Sequence, residues 1–219
     1  MQATGIGAQF RVRQLVLFLK FTILISQPTN FNIMTRTNTK RERLILAAQR
    51  LIHEGGYNQT TLADIAQAAE VPLGNVYYYF KTKDALGQAV IEAQLREFEQ
   101  LVSELDRLGE PRARIDGFLS MLVLDCDTIA AYGCPVGSLC TELNKSDSPL
   151  AEHASALMQA RLDWLTAQFA QLGHDDAAEL ATQLLAQVQG AVVLTQVFRD
   201  PKLITRQVAT AKAWLDDIA

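Results

Sequence analysis

Residues 60–83 read Thr60-Thr-Leu-Ala-Asp-Ile-Ala-Gln-Ala-Ala-Glu-Val-Pro-Leu-Gly-Asn-Val-Tyr-Tyr-Tyr-Phe-Lys-Thr-Lys83. Leu62, Ile65, Ala66 and Ala69 recur at helical spacing and leave Asp64 and Gln67 outward, behind Thr60 or Thr61, either of which can cap a helix. Val71 and Pro72 interrupt that pattern, because proline cannot donate into a helix interior but fits the first turn of a new one. A second short helix therefore starts near Pro72 and runs through Tyr79, with Val76 and Phe80 as inward anchors. Asn75, Tyr77, Tyr78 and Tyr79 place hydrogen-bonding groups around the rest of it. Lys81 and Lys83 follow at the exit, where a cation suits both a helix C-terminus and a phosphate. Two short helices about a tight turn, the second ending in aromatic and basic residues, form the arrangement that lays one helix in the major groove of DNA. The alternative is a plain helical hairpin with surface tyrosines.

Working outward, Thr61-Leu-Ala-Asp-Ile-Ala, Val71, Gly74-Asn-Val-Tyr-Tyr-Tyr-Phe80 and Lys83-Asp-Ala-Leu86, with the preceding Arg43-Leu-Ile-Leu-Ala-Ala48 and Gly55-Gly-Tyr57, resemble the N-terminal domain of TetR/AcrR-type transcriptional regulators. The resemblance is detailed over about Thr37 to Ala89 and holds only in outline beyond it. One position departs: the family usually has glycine at the turn where Glu70 stands. A positive φ there would cost a glutamate on the order of 1 kcal/mol. The resemblance implies base-edge or groove contacts for Leu73, Gly74, Asn75 and Tyr78, and phosphate contacts for Thr61, Tyr77, Tyr79 and Lys83. Any one of the tyrosines can instead pack beneath the first helix, as aromatic residues at helical spacing often do.

The charge is unevenly distributed. The 219-residue chain carries a net charge of −4 and is 49% hydrophobic, enough for a sizeable core. Met34 to Leu86 holds seven Lys/Arg against five Asp/Glu, while Gly87 to the end holds ten against nineteen. Lys40, Arg41, Arg43 and Arg50 lead the basic part, and such a cluster can follow a phosphate backbone or simply be a solvated face.

Three stretches divide the chain: 1–33, 34–86 and 87–219. In the first, Arg11, Arg13 and the apolar run Leu15 to Ile25 look like the start of a secretory signal, but the run is broken by Lys20 and too short to span a bilayer. Met34 precedes a basic lead-in to the first helix, so translation is expected to begin there and residues 1–33 to be a mis-annotated or disordered extension; the alternative is an arm or membrane-surface helix. No stable membrane association is expected, and the location is cytoplasmic. Residues 34–86 form a three-helix helix-turn-helix domain. Residues 87–219 form a helical regulatory and dimerisation domain, making an all-α protein of about nine helices. Its helices are expected over Thr82 to about Leu108, Pro111 to about Ile129, Ser138 to Asn144, Pro149 to about Leu172, Asp175 to about Arg199, and Pro201 to the end.

In the last two helices, Ile204, Val208, Ala211, Leu215 and Ile218, and Ala181, Leu184, Val188, Ala191 and Thr195, form continuous seams. Paired across a two-fold axis they would build a four-helix bundle, matching the dimer habit of the resembled family; the alternative is that both seams face the subunit's own core. The family's usual mechanism implies a small, mostly apolar effector in a cavity, for which Phe118, Leu122, Cys126, Leu139, Met158, Arg161 and Trp164 are candidate linings. Cys126, Cys134 and Cys140 are either small core residues or, for Cys134 and Cys140 beside the irregular segment Tyr132 to Gly137, a thiol sensor. His53, His153 and His174 lack metal-ligand spacing, and no nucleophile motif, phosphate loop or paired-carboxylate signature is present. No cofactor, metal or enzymatic activity is therefore expected. The reading is a DNA-binding regulator, a dimeric repressor released from a palindromic operator by a small molecule or thiol modification. The alternative is an all-helical enzyme or scaffold that retains the hairpin.

Overall fold

A computed structural model of the chain describes residues 39–146 and 148–218; the expectations for residues 1–33 lie outside them. Among the described residues every regular element is a helix: α1 (Lys40–Gly55), α2 (Leu62–Ala68), α3 (Leu73–Tyr79), α4 (Lys83–Asp106), α5 (Pro111–Leu124), α6 (Cys126–Tyr132), α7 (Pro135–Lys145), α8 (Ala151–Gln171), α9 (Ala177–Phe198) and α10 (Pro201–Ile218). The all-α class stands. Contacts divide the described chain into two compact units, residues 39–98 with Cys134–Gln159, and Glu99–Gly133 with 160–218.

The first unit contains α1 to α3, the start of α4, α7 and the start of α8. Its core is one continuous cluster in which Leu44, Ala48 and Ile52 of α1, Ile65 and Ala66 of α2, Val76 of α3 and Leu86 and Val90 of α4 meet Val136, Leu139 and Leu143 of α7 and Leu157 of α8. A helix-turn-helix of this size has too little apolar surface to be independently robust, and α7 and α8 supply the missing wall. Close approach is built in at Gly87, where a Cβ would lie 2.7 Å from Leu150 Cδ1 and 2.8 Å from Tyr57 Cε2.

In the second unit, α9 packs on α6 and α10, and α10 on α5. Gly109, at φ +85°, ends the long helix as its sequence predicts, and Pro111 opens α5 at a position where its missing N–H costs nothing. Lys212 of α10 donates to Asp116 Oδ2 at 2.9 Å and to Ser120 Oγ at 2.8 Å, while Arg112 donates to the Lys212 carbonyl at 3.1 Å and pairs with Asp216. The bonds of Lys212 and of its carbonyl, which are half-buried, fix the register of α10 along α5.

Three expectations are corrected. The helix predicted from Pro111 to about Ile129 breaks at Asp125, whose backbone (φ −103°, ψ 17°) leaves the helical region, so Cys126 opens α6 rather than closing α5. The resulting count is ten described helices rather than about nine. The helix predicted from Ser138 starts at Pro135, the Cys134 side chain capping it. The seams of the last two helices are interior: Ile204, Val208, Ala211 and Leu215 of α10 and Ala181, Leu184, Val188, Ala191 and Thr195 of α9 are all buried within their own unit. Periodicity identifies an apolar stripe without saying whose apolar surface it meets. The outward side of α9 instead carries Ala186, Gly190, Val193, Leu194 and Val197, with Phe198 at its end; Val197 and Phe198 are 66% and 67% exposed. By length and composition α9 would pass as a membrane span, yet one of its faces is the packing surface for α6 and α10.

Candidate nucleic-acid interface

The geometry begins at Thr61. Its hydroxyl accepts the Asp64 N–H at 3.1 Å while Asp64 Oδ2 accepts the Thr61 N–H at 3.0 Å, a reciprocal capping box that fixes where α2 starts. The Thr61 hydroxyl, and then its backbone N–H, hold the Asp64 carboxyl below its usual value. Thr60, the other predicted cap, is buried, and its hydroxyl donates back to the Gly56 carbonyl at 2.8 Å.

At its far end α2 closes with two reverse bonds, Val71 N–H to Ala66 O at 2.9 Å and Glu70 N–H to Gln67 O at 3.1 Å. This closure requires a left-handed residue after the cap, and Glu70 takes it, at φ +52°. The positive φ at the position where the resembled family carries glycine is thus present. Val71 is then drawn into the core and Pro72 starts α3.

On α3 the seven residues separate cleanly. Val76 and the following Phe80 are buried; Leu73 is 42%, Tyr77 48% and Tyr78 78% exposed, Gly74 is exposed and Asn75 is half-buried. Of the three α3 tyrosines, Tyr79 packs against the core, with Tyr78 edge-on to it at 5.1 Å between ring centres. The hydroxyls of Tyr77 and Tyr78 and the side-chain amide of Asn75 make no hydrogen bond among the described residues. Gly74 has open space where a Cβ would be, so no contact among the described residues requires a glycine there. Glycine is a poor helix former, and a glycine that the packing does not need suits close approach by another molecule's surface.

Cations frame this outward face. The Arg41 guanidinium of α1 stacks over the Phe80 ring at 5.2 Å, at the exit of α3 beside exposed Lys81. Lys83 is more engaged than its sequence position implied: its ammonium lies 4.5 Å above the Tyr57 ring and donates to the Asn58 carbonyl at 3.1 Å. Tyr57 is itself buried, and its hydroxyl donates to Asp84 Oδ1 at 2.7 Å. Burial, then that hydrogen bond and the negative charges of Asp84 and Glu142, push the hydroxyl well above its ordinary pKa. Glu142 is the residue that sequence reading missed: it lies 85 positions from Tyr57, with no local signal linking the two.

The predicted effector linings divide between the two units. Phe118, Leu122, Cys126, Arg161 and Trp164 lie in the second, where the Phe118 and Trp164 rings pack at 5.4 Å; Leu139 and Met158 lie in the first, Leu139 in its core and Met158 partly buried against it. Cys134 Sγ accepts the Gly137 N–H at 3.2 Å as the cap of α7, and the Cys140 thiol donates to the Ala154 carbonyl at 3.0 Å. None of the three cysteines forms a disulfide among the described residues.

Comparison with known proteins places both halves of the chain. The family described as bacterial regulatory proteins, tetR family, matches residues 44–90, and the C-terminal domain described as transcriptional regulator LmrA/YxaF-like matches residues 111–210. An HTH-type transcriptional regulator in the lacX 3′ region of Lactococcus lactis subsp. lactis is 31% identical over 170 residues, covering 74% of this chain and 86% of that protein. The HTH-type transcriptional repressor NemR of Escherichia coli K12 is 29% identical over 118 residues, 54% of this chain and 59% of NemR. Among solved structures, a TetR transcriptional regulator from Legionella pneumophila superposes with a TM-score of 0.72 at 22% identity, over 83% of this chain and 97% of its own.

Proposed function

Since the chain belongs to the tetR family of bacterial regulatory proteins, we propose that it is a DNA-binding transcriptional regulator whose helix α3 reads operator DNA from the major groove. The observation that carries this reading is the outward face of α3. Leu73, Gly74, Tyr77 and Tyr78 stand exposed on a seven-residue helix already anchored by Val76 and Phe80, with Arg41 and Lys81 at its exit. Exposed aromatic surface with nearby cations suits bases flanked by phosphates. Asn75 pairing with an adenine edge would discriminate by about 1–3 kcal/mol. Thr61, Tyr77, Tyr79 and Lys83 are assigned to phosphates, Tyr79 and Lys83 through atoms left accessible by their internal contacts. A protein of this kind works where the DNA is, in the cytoplasm, and carries no catalysis of its own.

A helix this short gains affinity by acting twice. We assign a homodimer to the last two helices through their outward sides, α9 contributing Ala186, Gly190, Val193, Leu194 and Val197. Gly190, like Gly74, has open space around its absent Cβ, and it permits close approach of a partner helix. Two-fold symmetry then presents two copies of α3 to half-sites about 34 Å apart, hence a palindromic operator. The regulator acts as a repressor, and release follows a small, mostly apolar effector or thiol modification at Cys134 or Cys140. An effector that prefers the released state a hundredfold supplies about 2.7 kcal/mol per site.

A gel-shift titration against DNA upstream of the protein's own gene, at two salt concentrations, tests this function. Affinity should fall by orders of magnitude between about 50 and 200 mM salt while the preference over random DNA persists. Binding without any sequence preference would remove the reading.

A further inference from the structure

The loop 56–61 sets the position of α2, and it is held from a distant part of the chain. Glu142, two turns into α7, spreads its carboxylate over two successive backbone amides: Oε2 accepts the Tyr57 N–H and Oε1 the Asn58 N–H, both at 2.7 Å. Charge-assisted bonds of this length, made as a pair to one rigid acceptor, fix a loop in three dimensions. Gly56 is shaped for the contact. It sits at φ +89°, and a Cβ there would lie 3.1 Å from Glu142 Oε2. On the other side the same loop is tied to the first turn of α4 through Tyr57 to Asp84 and Lys83 to the Asn58 carbonyl. Thr60 locks back onto Gly56, and Thr61 immediately begins α2. The start of the helix-turn-helix therefore hangs between α4 and α7.

We propose that Glu142 is a positioning residue for DNA reading: its carboxylate holds the Gly56–Asn58 loop so that α2 and α3 present a complete operator-binding face, and it is the point where movement of α7 reaches that face. The inference rests on the DNA-binding function proposed above. Two features support it, and a third sets what it must outweigh. Among the described residues the Glu142 carboxylate bonds only backbone of the loop, so it dictates loop placement rather than side-chain packing. Helix α7 is short, begins at the Cys134 cap, and buries Val136, Leu139 and Leu143 in the same core as α1 to α3. The carboxylate adds negative charge to a DNA-binding unit, which opposes DNA affinity unless its positioning role outweighs that cost.

Linkage provides the test, because a contact that favours operator binding must itself be favoured by operator. A duplex recovered by selection from a randomised library serves as probe. In the full-length wild-type protein, adding it should slow hydrogen exchange of the Tyr57 and Asn58 amides at least tenfold, a measurement that needs no substitution. In Glu142→Gln, the same amides should exchange at least tenfold faster. Affinity for the selected duplex should fall at least tenfold, while affinity for random DNA stays within twofold of wild type or rises with the lost charge. A Glu142 with a merely structural role would lower thermal stability and leave the ratio of selected to random affinity unchanged. Selected-duplex affinity within twofold of wild type in Glu142→Gln despite accelerated exchange, or no operator-linked protection in wild type, overturns the inference. A wild-type protein that enriches no sequence during selection fails earlier and removes the DNA-binding function with it.

Discussion

Glu70 holds a left-handed backbone, φ +52°, at the closure of α2, and replacing it by glycine relieves a strain that can be estimated. A residue with a Cβ loses about 1–2 kcal/mol in this conformation. Glycine removes that penalty but adds about 0.5–1 kcal/mol of unfolded-state entropy. Removing a carboxylate from the negative end of α2 contributes a further 0.3–1 kcal/mol or so, reduced by exposure to solvent. The side chain is exposed, and the reverse bonds of the turn belong to the backbone, so glycine forfeits no contact among the described residues. Glu70→Gly should therefore stabilise the protein by about 0.5–1.5 kcal/mol, a rise in Tm of roughly 2–5 °C for a chain of this size. Denaturant titration of Glu70→Gly beside Glu70→Gln separates the two causes, since glutamine removes the charge but keeps the strain. The difference expected from strain less glycine entropy is up to about 1.5 kcal/mol in favour of Glu70→Gly, and a Glu70→Gly less stable than Glu70→Gln would refute the claim that backbone strain resides at this turn. Because a negative charge beside α3 is also lost, both variants should bind DNA somewhat more tightly at low salt.

Other outcomes follow from neighbouring geometry. Thr61→Ala should cost about 1 kcal/mol by opening the capping box, and the Asp64 titration, followed by NMR, should move back up toward its ordinary value of 3.8. With its pKa depressed in the fold, Asp64 contributes stability that is present above its unfolded pKa and lost as pH falls through the folded one; this acid-side loss should be smaller in Thr61→Ala, which keeps only the backbone N–H of the pair. Gly190→Leu should weaken the dimer at least tenfold by sedimentation without destabilising the subunit, because leucine is the better helix former and has open space; an unchanged dimer would exclude this face of α9. Cys134→Ser retains an oxygen at the α7 cap, so its fold should be intact; oxidant-driven operator release equal to wild type in this variant and in Cys140→Ser would end the thiol reading.

The helix-turn-helix was legible because each of its parts has a local chemical cause. Thr61 caps, Pro72 starts, and Ile65, Ala66, Val76 and Phe80 anchor through periodicity alone. The facing of three consecutive tyrosines was not legible, since they sweep some 200° of the helix surface and only the packed structure sets the phase that turns Tyr79 inward and leaves Tyr77 and Tyr78 out. The break at Asp125 has no glycine or proline to announce it, and the apolar stripe runs through it unbroken. The seams of α9 and α10 had the right period and the wrong partner, each other's unit rather than a second subunit. Glu142 was invisible for a different reason: a carboxylate on a short amphipathic helix resembles any solvated one until the fold brings two amides to it.

Tyr78 gives the most direct test of α3 as the reading element. The residue is 78% exposed and its ring meets Tyr79 edge-on, so Tyr78→Ala should leave stability within about 1 kcal/mol of wild type. Equilibrium binding of this variant to the wild-type operator should be at least tenfold weaker, with binding to random DNA much less affected. Operator affinity equal to wild type in the folded variant would contradict the claim that the outward face of α3 reads the DNA.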